Sequence, residues 1–154
     1  MIIVECNTDK YYITNLGFPK RLIKHESCKG DVIRKIIKNS GYIGIVDEDP
    51  DSNQPSEMNN FQQIERKNDI TLFQRKDNEN IKLIQISPNL ESWFIKRARN
   101  NGINPHDYDL ADTFDSLHVP HIEKRHRFKE FLYKLVSVDE EGKQLKKWLI
   151  DAER

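Results

Sequence analysis

Two acidic residues follow short apolar runs in the N-terminal half of this 154-residue chain. Glu5 comes directly after residues 2–4 (Ile-Ile-Val), and Asp47 directly after residues 42–46 (Tyr-Ile-Gly-Ile-Val). Short β-branched runs of this kind are typical of buried strands. In open α/β sheets, ligands bind beyond the carboxyl ends of strands, near the point where strand order reverses. If these two strands are neighbours, their carboxylates converge at one edge of the sheet.

Asp49 and Asp51 continue the acidic pattern, two and four residues after Asp47. Alternate residues of an extended segment share a face, so we expect these three carboxylates on one side. Carboxylates about 4 Å apart repel each other by roughly 4 kcal/mol at an effective dielectric of about 20, which solvation, protonation or a divalent cation must offset. An all-oxygen set of ligands favours Mg²⁺, with Mn²⁺ as a substitute. An exposed acidic turn ending at Pro50 is the open alternative.

The elements that would position these acids alternate between strand and helix. Apolar runs predict five strands, at residues 2–5, 21–25, 42–46, 70–74 and 81–86. Helical spacing predicts a first helix capped by Asn7 or Thr8 and ended by Gly17, and a second helix that carries the apolar residues 32, 33, 36 and 37. The β-α-β-α-β order predicts an α/β fold with a mainly parallel sheet flanked by helices.

The second half of the chain is predicted to be more helical. The polar residues 50–69 favour a loop or a short irregular helix, and residues 76–80 favour a hairpin turn. Pro88 suits the first turn of a third helix that Gly102 ends. Two further helices, around residues 128–135 and 145–149, form a C-terminal helical extension. We therefore expect an α/β domain over residues 1–102, with residues 103–154 packed on the same domain.

Composition excludes several classes of protein. Lys+Arg and Asp+Glu both number 25, so a uniformly basic nucleic-acid binder is excluded. No apolar run approaches the ~18 residues that a spanning helix needs, so no membrane partner is expected. Two cysteines cannot build a disulfide framework or a four-cysteine zinc site, which favours a cytoplasmic protein with reduced thiols.

Charge is nevertheless uneven along the chain. Residues 20–38 and 121–134 are basic, whereas residues 47–57 contain five acids and no Lys or Arg. Basic segments can follow a DNA or RNA backbone without reading its sequence. Solvated helix faces are the open alternative. The candidate nucleic-acid-binding residues are Lys20, Arg21, Lys24, Lys124, Arg125 and Arg127.

Several motifs carry a resemblance to the Toprim domain family, over roughly residues 1–90. Residues 2–9 (Ile-Ile-Val-Glu-Cys-Asn-Thr-Asp) resemble its first, Glu-containing motif, and residues 45–51 (Ile-Val-Asp-Glu-Asp-Pro-Asp) its Asp-x-Asp motif. Residues 27–31 (Ser-Cys-Lys-Gly-Asp) are similar to the glycine/lysine turn that many members place before their second helix. Residues 88–94 resemble a Pro-x-x-Glu-x-Trp segment of stand-alone Toprim proteins linked to phage defence. This last resemblance implies a site role for Glu91, although an acid favoured by the helix dipole is an open alternative.

The resemblance implies a Rossmann-like Toprim fold and metal-assisted phosphoryl chemistry on nucleic acid. The chain has no topoisomerase tyrosine domain, no room for a full primase module and no ATPase phosphate loop, which leaves a nuclease acting on DNA or RNA. Asp47 and Asp49 would hold Mg²⁺, and Glu5 would complete the site or act as general base. Asp51 or Glu91 would hold a second metal. Lys29 would stabilise charge on the phosphate.

The chain departs from the family pattern at Cys6, where many Toprim proteins have Gly. A side chain there would crowd an approaching phosphate. This favours a second hypothesis, a binding or regulatory Toprim-fold subunit that needs a partner protein such as an ATPase. A receiver-like signalling domain is a third hypothesis, which the single acid of the first strand disfavours. The apolar face of the helical tail also leaves a homodimer open.

Two further groups of residues invite weaker hypotheses. Cys6 is either a reactive thiol or a plain buried cysteine, and no base is predicted beside it. His118, His121 and His126 are irregularly spaced and have no fourth ligand, so surface histidines are expected rather than a zinc site.

Overall fold

A computed structural model describes residues 1–153 of the chain. Its six strands are β1 (Ile2–Val4), β2 (Ile23–His25), β3 (Ile43–Asp47), β4 (Phe61–Lys67), β5 (Ile70–Arg75) and β6 (Asn78–Ile86). They form one sheet in the order β2-β1-β3-β6-β5-β4. The first four in this order are parallel, and β5 and β4 continue the sheet in antiparallel fashion. The predicted α/β, Rossmann-like fold is confirmed.

Six α-helices flank or follow this sheet. They are α1 (Asn7–Asn15), α2 (Lys29–Lys38), α3 (Leu90–Asn100), α4 (Phe114–Leu117), α5 (His126–Val138) and α6 (Glu140–Ala152). Short 3₁₀ helices lie at Lys20–Leu22, Ser56–Asn60, Pro105–Tyr108 and Ile122–Lys124. Across residues 1–153, no helix combines the length and apolar character that crossing a membrane requires.

The sheet separates two apolar cores. Successive side chains of a strand point to opposite faces, so Ile2 and Val4 of β1 enter one core and Ile3 enters the other. The larger core also contains the buried faces of α1, α3, α5 and α6, whereas α2 covers the smaller one. Burying each such side chain stabilises the fold by about 1.5–3 kcal/mol. Both faces of β1 are therefore covered, and its free carboxyl end is where polar groups can collect.

Gly44 allows α2 to pack closely against β3. A Cβ at this position would lie 2.8 Å from Leu83 Cδ1 and 2.8 Å from Val32 Cγ1. Any larger residue would therefore push α2 away from the sheet, and with it the helix N-terminus that carries Lys29.

A buried polar network joins α3 to α6. Arg97 Nε donates to Asp139 Oδ1 at 2.7 Å, and Trp93 Nε1 donates to Glu141 Oε2 at 2.6 Å. All four side chains are buried, so these bonds form away from competing water. The expected boundary after residue 102 stays a prediction, and this network links helices from either side of it.

The structure corrects several expected elements. Residues 61–67 form β4 rather than a loop. The sequence did not indicate this strand because residues 62–66 are all exposed and so lack the apolar alternation of a half-buried strand. The N-cap of α1 is Cys6 rather than Asn7 or Thr8. Asn89 caps α3, so Pro88 precedes the helix instead of lying in its first turn. The second strand begins at Ile23 because residues 20–22 form a 3₁₀ turn.

Candidate functional site

The strand order reverses between β1 and β3. The chain places β2 on one side of β1 and then, after α2, places β3 on the other side. Glu5 directly follows β1, and Asp47 is the last residue of β3. Glu5 Oε2 accepts a hydrogen bond from the Asp47 backbone N–H at 2.6 Å. The two acids therefore meet at the switch point, where open α/β sheets bind ligands.

The loop after β3 is fixed against the loop after β6. The backbone N–H of Glu48 donates to Ile86 O at 2.8 Å, and that of Asp49 donates to Pro88 O at 2.9 Å. The first turn of α3, which contains the buried Glu91, follows directly. These bonds bring Glu91 to the same edge of the sheet as Asp47.

Among the carboxyl groups at this edge of the sheet, Asp47 has the most strongly raised pKa. Burial raises its pKa, and the charges of Asp9, Glu5, Glu91 and Asp49 raise it further, to about 9. A carboxyl group so disfavoured as an anion either keeps its proton or requires a nearby cation. We call Glu5, Asp9, Asp47, Asp49 and Glu91 the acid cluster.

Glu5 is also affected by its surroundings. Burial raises its pKa, the hydrogen bond from Asp47 N–H opposes this rise, and Asp49 and Glu91 add to it. Lys29 acts in the opposite direction and lowers the pKa of Glu5. The net result is a carboxyl group that holds its proton more tightly than an exposed glutamate.

Asp9 is a member of the cluster to which the sequence reasoning gave no role. Burial raises its pKa to about 7, the hydrogen bond from Cys6 opposes this rise, and Glu5 adds to it. Cys6 N and Cys6 Sγ both donate to Asp9 Oδ2, at 3.0 and 3.1 Å. The spacing Cys-x-x-Asp is that of a capping box, so it was the signal that could have identified Asp9.

These contacts also assign a structural role to Cys6. Its side chain caps α1 by accepting from Asp9 N. Burial, followed by the charge of Asp9, raises the pKa of the Cys6 thiol. Because the thiolate is the nucleophilic form, Cys6 is a capping thiol and not a reactive one.

Lys29 lies opposite the acids, at the first position of α2. Its Nζ donates to Glu48 O at 2.8 Å and to Gln54 Oε1 at 2.6 Å. Burial lowers its pKa, whereas Glu5, Asp49 and Asp47 raise it. A cavity of about 550 Å³ opens here, lined among others by Glu5, Lys29, Gly30, Asp49 and Gln54. An anionic group in this cavity would contact both the ammonium and the N-terminus of α2.

Glu91 is paired with a histidine on its other side. Its Oε1 lies 3.2 Å from His118 Nδ1, and the His118 ring stacks on Phe114 with centroids 4.7 Å apart. A cavity of about 340 Å³ adjoins this pair and reaches the N-terminus of α1. His118 was expected to be a plain surface residue. His118 is indeed exposed. Its contact with Glu91 of the acid cluster is an addition that its irregular spacing from other histidines did not indicate.

Asp51 does not share the face that an extended segment would have given it. Asp49 has a left-handed backbone (φ +46°), so the chain turns there. Asp51 is exposed in the following turn and is not among the groups that raise the pKa of Asp47. The expected alignment of Asp47, Asp49 and Asp51 is therefore wrong.

The expected nucleic-acid-binding residues divide into two groups. Arg127 is held by Asp109 at 3.3 Å and Glu130 at 2.9 Å, and it lies over the Tyr108 ring, so its contacts are internal. The remaining five residues are exposed, on the Lys20–Leu22 helix, on the edge strand β2 and around residues 124–125: Lys20, Arg21, Lys24, Lys124 and Arg125.

The donor set at the switch point suits a hard cation. Mg²⁺ commonly binds through one or two carboxylates and completes its shell with water and phosphate oxygens. Within residues 1–153, however, no three His, Cys, Asp or Glu side chains are arranged to hold a metal. Glu5 and Glu91 are engaged by Asp47 N–H and His118. The carboxylate oxygens of the acid cluster are thus the donor type that Mg²⁺ prefers, but its side chains would have to turn towards a bound ion for three of them to hold it.

Comparisons with protein-family models, curated proteins and solved structures give no match to this chain. The resemblance to the Toprim family therefore rests on the motifs of the sequence.

Proposed function

We propose that this protein is a Mg²⁺-dependent nuclease of the Toprim type that cleaves phosphodiesters of DNA or RNA. The observation that carries the proposal is the acid cluster, five carboxylates around the β1–β3 switch point opposite Lys29. Asp9 and Glu91 are buried and Glu5 and Asp47 are half-buried, so gathering these carboxyl groups is costly for a fold with only about 5–15 kcal/mol of net stability. A function that uses the carboxyl groups explains why the fold retains them.

Each residue has a role in this proposal. Asp47 and Asp49 would hold Mg²⁺, or Mn²⁺ as a substitute, and Glu5 would either join them or accept a proton from the attacking water. The bound metal would supply Lewis-acid activation of the phosphate and lower the pKa of a bound water. Lys29 and the N-terminus of α2 bind the phosphate and offset charge that develops on it. Glu91 supplies negative charge from α3.

The biological setting follows from the resemblance of residues 88–94 to defence-associated proteins. We place the nuclease in phage or mobile-element defence. Two free cysteines suit a reducing, cytoplasmic compartment.

A catalytically weak subunit that needs a partner protein, such as an ATPase, is the second candidate. The observation that favours it is that Lys29 and Glu5 already have hydrogen-bond partners within the chain. Lys29 is bound by Glu48 O and Gln54, and Glu5 is bound by Asp47 N–H. A partner that moved the loop containing Gln54 would free Lys29 for a phosphate.

The test is a cleavage assay with plasmid, single-stranded DNA and RNA, each in Mg²⁺, Mn²⁺ or EDTA. The Asp47→Asn/Asp49→Asn variant is compared with Asp51→Asn, an exposed acid of the same loop. We expect metal-dependent cleavage that the double variant loses and Asp51→Asn retains. Cleavage that persists in EDTA or in the double variant would contradict the proposal. No cleavage by a folded protein that binds Mn²⁺ would support the partner-dependent subunit.

A further inference from the structure

An exposed tyrosine stands out on α5. This helix buries Phe128, Phe131, Leu132 and Leu135 against the larger core. Tyr133 lies on its outer side and is 75% exposed, so the core does not use its ring. Together with the half-buried Tyr11 and Tyr108, it lines a cavity of about 590 Å³ between α1 and α5.

The same surface is rich in lysines. Lys129 and Lys134 line the cavity beside Tyr133. An adjoining cavity of about 300 Å³ shares Tyr11 and adds Lys10, Lys20 and Lys124. In the part of the chain that the structure describes, the lysines that form ion pairs are four others: Lys35, Lys96, Lys143 and Lys147.

The acidic groups of this surface do not cancel the lysines. Glu130 is already paired with Arg127 at 2.9 Å and with His126 at 2.6 Å. Glu123 is the other carboxylate that lines these cavities. The surface therefore presents five ammonium groups to an anionic ligand.

A third cavity connects this surface with Glu91, one member of the acid cluster, through shared lining residues. The cavity lined by Lys10 and Lys20 shares Asn7, His121 and Glu123 with the cavity beside Glu91 and His118. Three neighbouring cavities thus lie along α1 between Glu91 and Tyr133. We call these three cavities together the α1 groove.

We propose that the α1 groove binds a single strand of DNA or RNA, with a base stacked on the exposed Tyr133 and phosphates on the groove's lysines. The inference rests on the proposed function, because it names the substrate class of that site. Unpaired bases expose faces that stack on aromatic rings, whereas those of a duplex are covered by neighbouring base pairs. Lysines at intervals along the groove follow a backbone without reading its sequence. The occupant is therefore a single strand rather than a duplex.

The test measures binding without cleavage. Fluorescence anisotropy of labelled dT and rU 15-mers, and of a duplex of equal length, is recorded in EDTA with the full chain. Tyr133→Ala should weaken single-strand binding about 5- to 100-fold, whereas Tyr133→Phe, which keeps the ring, should bind like the wild type. The two labelled strands show which sugar is preferred.

A second pair of variants tests the lysines. A plot of log affinity against log salt concentration falls by about 0.7 per decade for each phosphate contact on a single strand. Lys129→Gln/Lys134→Gln removes two such contacts, so the plot should become shallower by about 1.4. Lys143→Gln/Lys147→Gln removes two exposed lysines from α6 and should leave the slope unchanged. Circular dichroism confirms that each variant is folded.

Three outcomes would overturn the inference: equal affinity for the duplex, no effect of Tyr133→Ala, or a loss of dimer rather than of oligonucleotide binding in Tyr133→Ala. Failure of the proposed function looks different. Tight, tyrosine-dependent binding of a single strand, with no cleavage in Mg²⁺ or Mn²⁺, would support the groove while contradicting the nuclease.

Discussion

Burial and four neighbouring carboxyl groups oppose the ionisation of Asp47 in the folded chain. Asn has no proton to release on unfolding, so we expect Asp47→Asn to make the metal-free protein more stable at neutral pH. The pKa of Asp47 is about 9 in the folded chain, against an ordinary value of 3.8. The folded chain thus keeps a proton that the unfolded chain releases. The stability linked to this group is fully present below about pH 4 and is lost as pH rises towards 9.

The size of the effect follows from this difference in pKa. Neutral pH lies roughly three units above the unfolded value, and each unit corresponds to about 1.4 kcal/mol, which gives an upper limit of about 4 kcal/mol. Asp47 retains some contact with water, so we expect about half of this limit, roughly 2 kcal/mol. For a chain of this size, that raises Tm by about 4–8 °C.

Thermal unfolding in EDTA at pH 5, 7 and 8.5 measures the effect. The gap in Tm between Asp47→Asn and wild type should widen as pH rises, and Asp51→Asn should show no such gap. Mg²⁺ should then raise the Tm of the wild type but not that of Asp47→Asn. A less stable Asp47→Asn protein, or a gap independent of pH, would refute the reasoning.

Three further predictions concern neighbouring residues. Lys29→Met should slow cleavage by about 100-fold or more without weakening Mn²⁺ binding, because it removes charge from the phosphate side of the site; a parallel loss of Mn²⁺ affinity, measured by calorimetry, would argue against this role. Cys6→Ala should lower the free energy of unfolding, measured in urea, by about 1 kcal/mol, and Cys6→Ser by less, since serine also caps a helix. Equal stability of the two variants would show that the cap is unimportant. Gly44→Ala should destabilise the protein by about 1–3 kcal/mol, since the added Cβ would lie 2.8 Å from Leu83 and Val32; an unchanged urea midpoint would contradict the close packing of α2.

The sheet and the meeting of Glu5 with Asp47 were predictable from the sequence. Residues 2–4 and 43–46 are buried on both faces, so their continuous apolar runs indicated strands of a parallel sheet. The order of β-α-β-α-β elements made adjacency of β1 and β3 a simple solution. Because Glu5 and Asp47 lie at the carboxyl ends of these two strands, the same adjacency brings them together.

Other features depend on local geometry that the sequence pattern does not carry. The left-handed conformation of Asp49 turns the chain and separates Asp51 from the cluster. The edge strand β4 has mostly exposed polar side chains, so it resembles a loop. The α1 groove joins residues of α1 and α5 that are more than 100 positions apart, and only the packing of the helical tail reveals it.

The central claim is that the acid cluster is a metal site. Its most direct test is to measure Mn²⁺ binding to the metal-free protein by electron paramagnetic resonance. We expect saturable binding by the wild type and by Asp51→Asn, and its loss in Asp47→Asn. No binding by the wild type, or equal binding by all three proteins, would show that the acid cluster is not a metal site.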